Sequence, residues 1–217
     1  MHILCVPTGP LGTNTYIVYS ELGTEEKPAD CAVIDPAASK PIIKKLRELN
    51  LRCTHILLTH GHFDHIMGVA KLKEEDGAQV FIHKDDAAAL SGGEASLAYM
   101  AGTFVTSCEV DRLLEDGDTF TAAGMNFKVI HTPGHTPGGV CFVVESENVI
   151  FSGDTLFRLS VGRSDLRGGD GMQLYESIAF RLFTLAGDYR VLPGHEDETT
   201  LDFERRHNPF MKSGGLC

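Results

Sequence analysis

Between His60 and His65 the chain reads HGHFDH, which places four potential metal ligands (His60, His62, Asp64 and His65) in six residues. Neutral imidazole and carboxylate suit zinc and similar divalent ions, whereas such crowding serves neither an apolar core nor a turn. The preceding run, THILLTH, reads as a buried strand. If the chain stays extended beyond it, the two-residue alternation of a strand points His60 and His62 the same way. Asp64 and His65 then fall at the start of a following helix and point elsewhere. Donors leaving one turn in two directions suggest two adjacent ions, not one closed structural site.

Three further donors follow short apolar runs and a glycine: His135 in HTPGHTPGG, Asp154 in FSGDTLF and His195 in LPGHED. Loops at strand ends, held by a rigid scaffold, are where function concentrates. Taken singly, each donor reads more readily as a capping or turn residue; alongside the cluster, the three read as ligands. Ligating histidines need a partner for their second nitrogen, and Thr59, Thr132 and Thr136 stand close enough in sequence to supply it. His131 suits either that supporting layer or simple burial. His2, His55, His83 and His207 read as strand, surface or helix residues. GPLG and LRGGDGM are turn chemistry, not phosphate loops.

The segments THGHFDH, HTPGHTPGG, GDTLF and LPGHE, in that order from Thr59 to His195, resemble the metallo-β-lactamase superfamily, and its glyoxalase II-like (hydroxyacylglutathione hydrolase) branch in particular. The later stretch TTLDFERRHNPF is similar to the short, single-domain members. The resemblance implies an α/β fold, an αββα four-layer sandwich of two mixed β-sheets flanked by helices, with one domain over 1–217 and the metals at one edge of the sheets. It implies that His60, His62 and His135 hold a first metal, that Asp64, His65 and His195 hold a second, and that Asp154 bridges them. Two divalent ions are expected, Zn(2+) first, with Fe or Mn as alternatives.

A zinc-bound water ionises near pH 7, so a metal-bound hydroxide is the expected nucleophile, oriented by Asp64. No Ser-His-Asp or Cys-His arrangement competes with it. A thiol with pKa about 8.5 leaves without protonation, which suits a thioester. The resemblance implies S-acyl thiols such as S-lactoylglutathione; Asp154 agrees with this branch, since several true β-lactamases carry cysteine there. Arg163 matches the place of a basic residue facing the glutathione moiety, and guanidinium pairs with carboxylate through two hydrogen bonds. Arg158 and Arg167 read as ion-paired surface. Only 22 residues follow His195 in the 217-residue chain, so the helical extension that completes the thiol site of two-domain members has no counterpart. The alternatives are a mononuclear iron persulfide dioxygenase using His60, His135 and Asp154, a metallohydrolase of lactones or other esters, and a non-catalytic module with structural metals.

The elements that position these residues follow from hydrophobic pattern. TNTYIVYS and CAVIDP read as strands. SKPIIKKLRELN reads as a helix capped by Ser39, with Ile42, Ile43, Leu46 and Leu49 on one face. MGVAKLKEEDGAQ reads as a helix closed by Gly77, and QVFIH as a strand. Residues 84–108 blur: they suit a cover carrying Tyr99, Met100 and Phe104, or, preferably, ordinary packing around a connection. DTFTAAG, NFKVIHT, GVCFVVES and NVIFSGD read as strands, followed by a helix over GMQLYESIAFRLFTLAG, the strand YRVLPGH and a closing helix in TTLDFERRHNPF. The tail KSGGLC reads as loose. Interleaved strands and helices favour one α/β domain.

Composition narrows the partners. Nineteen Lys+Arg against 30 Asp+Glu give a net charge of −11, with no basic block, which disfavours nucleic acid. No apolar run approaches the roughly 20 residues of a membrane span, and MHILCVPTGPLG lacks the basic start of a signal peptide. The expectation is a cytoplasmic protein with a small-molecule thioester partner and an oligomeric state left open. The six cysteines are dispersed without a CxxC pair and read as small apolar residues.

Overall fold

The computed structural model describes residues 1–24 and 26–212; the tail beyond Lys212 and Cys217 lie outside the described residues. The first half lays down β1 (His2–Thr8), β2 (Thr13–Tyr19), β3 (Ala29–Ile34), helix α1 (Ser39–Glu48), β4 (Leu51–Leu57), α2 (Phe63–Ile66), α3 (Val69–Asp76), β5 (Gln79–His83) and β6 (Arg112–Leu114). The six strands form one mixed sheet in sequence order, antiparallel from β1 to β3 and parallel from β3 to β6. The second half supplies β7 (Thr119–Ala122), β8 (Met125–His131), β9 (Val140–Val144), β10 (Val149–Gly153), the two-stranded hairpin β11 (Leu156–Phe157) and β12 (Ser160–Val161), α4 (Gly171–Glu176), β13 (Arg190–Pro193), β14 (Thr199–Thr200), α5 (Leu201–His207) and α6 (Pro209–Lys212). Its main sheet runs β14-β13-β10-β9-β8-β7, with β10 and β13 parallel.

Strand alternation explains the layering. In β2, Ile17 joins Val33, Ile56 and Ile82 against Ile42 and Leu46 of α1 and Val69 and Leu72 of α3. Its neighbours Tyr16 and Val18 face the other way and meet Phe127, Phe142 and Phe151 of the second sheet. In that sheet Cys141, Val143 and Ile150 point outward to Leu174, Ile178, Leu182 and Leu201. Strands buried on both faces read as continuous apolar runs, as in VCFVV of β9. Three buried clusters therefore separate four layers: helices, sheet, sheet, helices. This is the expected αββα sandwich.

Local boundaries differ from the sequence reading where backbone chemistry intervenes. Ala38, not Ser39, is the residue before α1, and no side chain caps it. The long helix expected from Gly171 changes at Ser177 into π-type turns over Ser177–Leu182, with Phe183 N–H bonded five residues back to Ile178. The closing helix is split at Asn208, because a residue preceding proline is pushed out of the helical region. Gly77 closes α3 at φ +69°, as expected. Residues 84–108 hold three short 3₁₀ turns; within this stretch Leu90, Leu97, Ala98 and Val105 are buried, while Tyr99, Met100 and Phe104 are exposed. Among the described residues no helix is long and apolar enough to cross a membrane.

Candidate metal centre

The ends of β4, β8, β10 and β13 lead directly to His60, His135, Asp154 and His195, and the fold brings all seven predicted donors into one cluster. His60, His62 and His135 form one three-donor group, and Asp64, His65 and His195 another. His62 Nδ1 lies 2.8 Å from His135 Nε2. In the second group His65 Nε2 lies 3.3 Å from His195 Nε2 and 3.4 Å from Asp64 Oδ2, and His195 Nε2 lies 3.2 Å from Asp64 Oδ2. Asp154 stands between the groups: Oδ1 is 3.5 Å from His65 Nε2, while Oδ2 is 3.5 Å from His135 Nε2 and 3.6 Å from His195 Nε2. Ligands about 2.0–2.1 Å from a tetrahedral zinc lie roughly 3.3–3.4 Å apart; the second group and Asp154 are spaced in that way, while His62 and His135 stand closer together.

Two atoms make the case sharper. His60 Nε2 and Asp154 Oδ1 are buried without a hydrogen-bond partner, a state that costs folding free energy unless something satisfies them. Both belong to the cluster, and a cation is the chemistry that would satisfy an imidazole lone pair and a carboxylate oxygen together. The residues present fit divalent metal ions.

Supporting residues fix the ring orientations. Asp35, buried at φ +50°, accepts the Thr59 N–H at 2.8 Å and the Thr59 hydroxyl at 2.6 Å, and its Oδ2 accepts His65 Nδ1 at 3.0 Å. The Thr59 oxygen is thereby left to accept from His60 Nδ1 at 3.1 Å, which turns the His60 Nε2 lone pair into the cluster. His135 Nδ1 donates to the Arg163 carbonyl at 2.7 Å, and the Thr13 hydroxyl donates to Asp64 Oδ2 at 3.1 Å. Asp86 ties the two histidine loops together: it accepts Gly61 N–H at 2.8 Å, the Thr136 hydroxyl at 2.7 Å and Gly138 N–H at 2.7 Å. Of the three threonines expected to orient imidazoles, only Thr59 does so directly; Thr136 binds Asp86, and Thr132 lies 3.0 Å from the Thr155 hydroxyl. Gly194 is required by proximity, since a Cβ there would lie 2.2 Å from Asp154 Oδ1 and 2.7 Å from His65 Cε1.

Charge divides the two groups. Burial, reinforced by neighbouring imidazoles, holds His60 well below the usual histidine range and His62 down at about 3, so both are neutral and ready to ligate. Burial also opposes charge on His65, but Asp154, Asp35 and Asp64 outweigh it and raise the imidazole to about 9. Burial pushes the Asp64 carboxyl up, yet hydrogen bonding from His195 and the charge of His65 hold it below the ordinary carboxylate range. A cation held by the second group would take the place of a proton there.

Elsewhere the expectations are modified. Arg158, Arg163 and Arg167 are all ion-paired, to Asp197, Asp165 and Glu94 at 3.9, 2.7 and 3.3 Å. Arg163 still differs from the other two, because it lines the cleft that holds His62, Asp64, His135, Asp154 and His195. His131 bonds the Pro137 carbonyl and stacks on His83, with ring centroids 4.1 Å apart and 12° between planes. With Asp85 this pair forms a further three-donor group, of which Asp85 is exposed. Sequence reasoning missed Asp35 and Asp86. Asp35 carried a usable signal, an acid ending the apolar run CAVID at a strand terminus; Asp86 sat in a stretch without periodicity. The closing motif also acquires a function: Glu204 accepts Leu159 N–H at 3.0 Å and Asn208 Nδ2–H at 2.8 Å, while Asn208 Nδ2 also donates to the Ser160 carbonyl at 3.0 Å. The two pin the β11–β12 hairpin beside the cleft.

Comparison with known proteins agrees with this architecture. The solved structure of BLEG-1 B3 metallo-beta-lactamase aligns at 35% identity with a TM-score of 0.88, covering 97% of this chain and 99% of that one. TTHA1623 in a di-iron-bound form aligns at 39% identity with a TM-score of 0.81, covering 95% and 99%. The hydroxyacylglutathione hydrolase GloC of Haemophilus influenzae is 33% identical over 98% of this chain and 99% of its own length. Residues 8–195, which span the whole donor cluster, match the Metallo-beta-lactamase superfamily. The chain belongs to that superfamily, and its cluster of histidines and aspartates is a metal-binding site.

Proposed function

We propose that the protein is a dinuclear metallohydrolase of thioesters, acting on S-acyl thiols of the class that includes S-lactoylglutathione. The observation that carries this reading is the pair of buried, unpartnered atoms, His60 Nε2 and Asp154 Oδ1, within a seven-donor cluster that opens on a cleft of about 570 Å³. His60, His62 and His135 would hold one ion, Asp64, His65 and His195 the other, and Asp154 would touch both. Divalent ions bound there supply Lewis acidity, which ionises water near neutral pH and polarises a carbonyl.

The chain's own groups then orient and bind. Asp64, which accepts the Thr13 hydroxyl, would orient the attacking water as well as ligate. Asp35, through Thr59 and His65, and the Arg163 carbonyl, through His135, lock the imidazole tautomers. Arg163 would receive a carboxylate of the thiol portion once that carboxylate displaces Asp165; solvent screens the exposed Arg163–Asp165 pair, so little opposes the exchange. The departing thiolate needs no proton. Similarity to GloC over nearly the full chain supports the glutathione-thioester class.

A second reading puts a single iron on three of these donors, His60, His135 and Asp154, as a mononuclear oxidoreductase; likeness to TTHA1623, solved in a di-iron-bound form, favours iron as a candidate metal though not a single-ion site. One experiment separates them: metal quantification and a thioester hydrolysis screen on the same preparation. Two ions per chain with thioester turnover are expected. One iron per chain, oxygen uptake with glutathione persulfide and no thioester turnover would replace the proposal with the second reading.

A further inference from the structure

The apolar side chains lining the cleft at the metal centre include Leu11, Leu97, Met100, Ala101, Phe157 and Leu166. These residues come from separate places in the chain: Leu11 from the β1–β2 turn, Leu97 to Ala101 from the 3₁₀ turns after β5, and Phe157 from the β11–β12 hairpin. Leu11 and Met100 are each 60% exposed. Single exposed apolar residues need no explanation, but several segments converging theirs on one cavity with a polar cluster at its floor make a ligand wall. Leu97 adds a second sign. It adopts φ +60°, which a bulky side chain accepts only when its surroundings enforce it, and this conformation holds it in the wall while it remains 4% exposed. Beyond the metal donors, the polar side chains of the cleft are Ser160, Arg163 and Glu196.

Resting on the thioesterase reading, we infer that the acyl group received beside the metal centre is an unbranched hydrocarbon chain of medium length, and that Leu11, Leu97, Met100 and Phe157 set this preference. A hydroxyl on the acyl group, as in a lactoyl ester, would lose water against these side chains and gain no hydrogen bond from them. A methylene group fully received by the wall raises kcat/KM by about fourfold, and a partly covered one by less. The wall and the metal donors share one cavity with Arg163, so with the thiol portion held at Arg163 the apolar side chains are left to the acyl group.

The test uses the metal-loaded full chain and glutathione thioesters from acetyl to octanoyl, with the lactoyl thioester beside them. Free carboxylates from acetate to octanoate are titrated calorimetrically in parallel, as a measure of binding that needs no turnover. The inference predicts that kcat/KM and carboxylate affinity both rise with chain length through at least hexanoyl, and that hexanoyl exceeds lactoyl by tenfold or more. Met100→Ser and Leu11→Ser should each reduce the hexanoyl-to-acetyl ratio several-fold. Leu22→Ser, an exposed apolar residue that lies outside the cleft, should leave that ratio unchanged. Thioester turnover that is flat with chain length, or highest for lactoyl, overturns this inference and leaves the thioesterase reading standing. If no thioester turns over, that reading fails, and the carboxylate series alone decides: length-dependent affinity lost in Met100→Ser upholds an apolar subsite, while flat affinity refutes it. If the apolar rim proves to be buried between two copies of the chain in solution, the inference is likewise overturned.

Discussion

Replacing Asp86 with asparagine should loosen the metal centre from a position that ligates nothing. Its carboxylate takes three short hydrogen bonds, from Gly61 N–H, the Thr136 hydroxyl and Gly138 N–H, and the side chain is buried. Gly61 lies between His60 and His62, and Thr136 and Gly138 follow His135, so one anion joins the loops that carry the first ligand set. An asparagine has one acceptor oxygen. If it is kept toward Gly61 and Thr136, the amide NH₂ faces the Gly138 N–H; if it is turned over, Gly61 loses its acceptor. Either way one buried N–H is orphaned, at a cost of about 1–3 kcal/mol, and the surviving bonds lose charge assistance. The sum is about 2–4 kcal/mol, a large part of the 5–15 kcal/mol typical of a domain. Urea unfolding of the metal-free protein reads this directly. Chelator competition reads the second consequence, a fall of about 10–100-fold in metal affinity, the usual effect of removing a supporting partner. Asp85→Asn, at an exposed neighbour, is the control. A stability change below about 0.5 kcal/mol, with unchanged metal affinity, would refute the reasoning.

Other outcomes follow from the same geometry. Asp154→Ala should reduce bound metal by more than one ion's share, whereas His55→Ala should leave it unchanged; equal binding by the two variants rules out a bridging carboxylate. Arg163→Ala should raise KM for glutathione thioesters and affect a small neutral thioester much less, with equal losses on both pointing to a structural role. Metal-free stability should peak near pH 6.5. His65, raised to about 9, contributes stability that is lost as pH climbs from its unfolded value near 6.5 through 9; His62, held at about 3, contributes stability that is lost as pH falls from 6.5 towards 3. Loaded metal should remove the alkaline decline, and chemical denaturation across pH 4–10 with and without metal checks both arms.

The strands and helices were legible as apolar runs and as apolar residues at helical spacing in α1 and α3, whereas their stacking into four layers came from the family resemblance, because strands buried on both faces, such as VCFVV of β9, carry no alternation that assigns a face. The seven donors were legible because four of them fall within six residues and the other three each follow a short apolar run and a glycine, a combination that outweighs the capping or turn role each would have alone. Asp86 was not legible. Its three partners lie 25, 50 and 52 residues away, and nothing local marks an aspartate in DDAAAL as the tie between two distant loops. The apolar wall was hidden for a similar reason: Leu11 and Met100 acquire meaning only when β1–β2 and the 3₁₀ turns meet over the same cavity. The three arginines show the opposite limit, since sequence distinguished Arg163 by position while its bidentate pairing with Asp165 depends on local loop geometry.

Anomalous X-ray scattering from crystals of the metal-loaded protein tests the central claim most directly, because it locates the ions independently of any substrate. The account predicts two anomalous peaks per chain, roughly 3.5–4 Å apart, one among His60, His62 and His135, the other among Asp64, His65 and His195, with Asp154 within bonding distance of both. A single peak at full metal occupancy, or ions lying away from His60 Nε2 and Asp154 Oδ1, would contradict it.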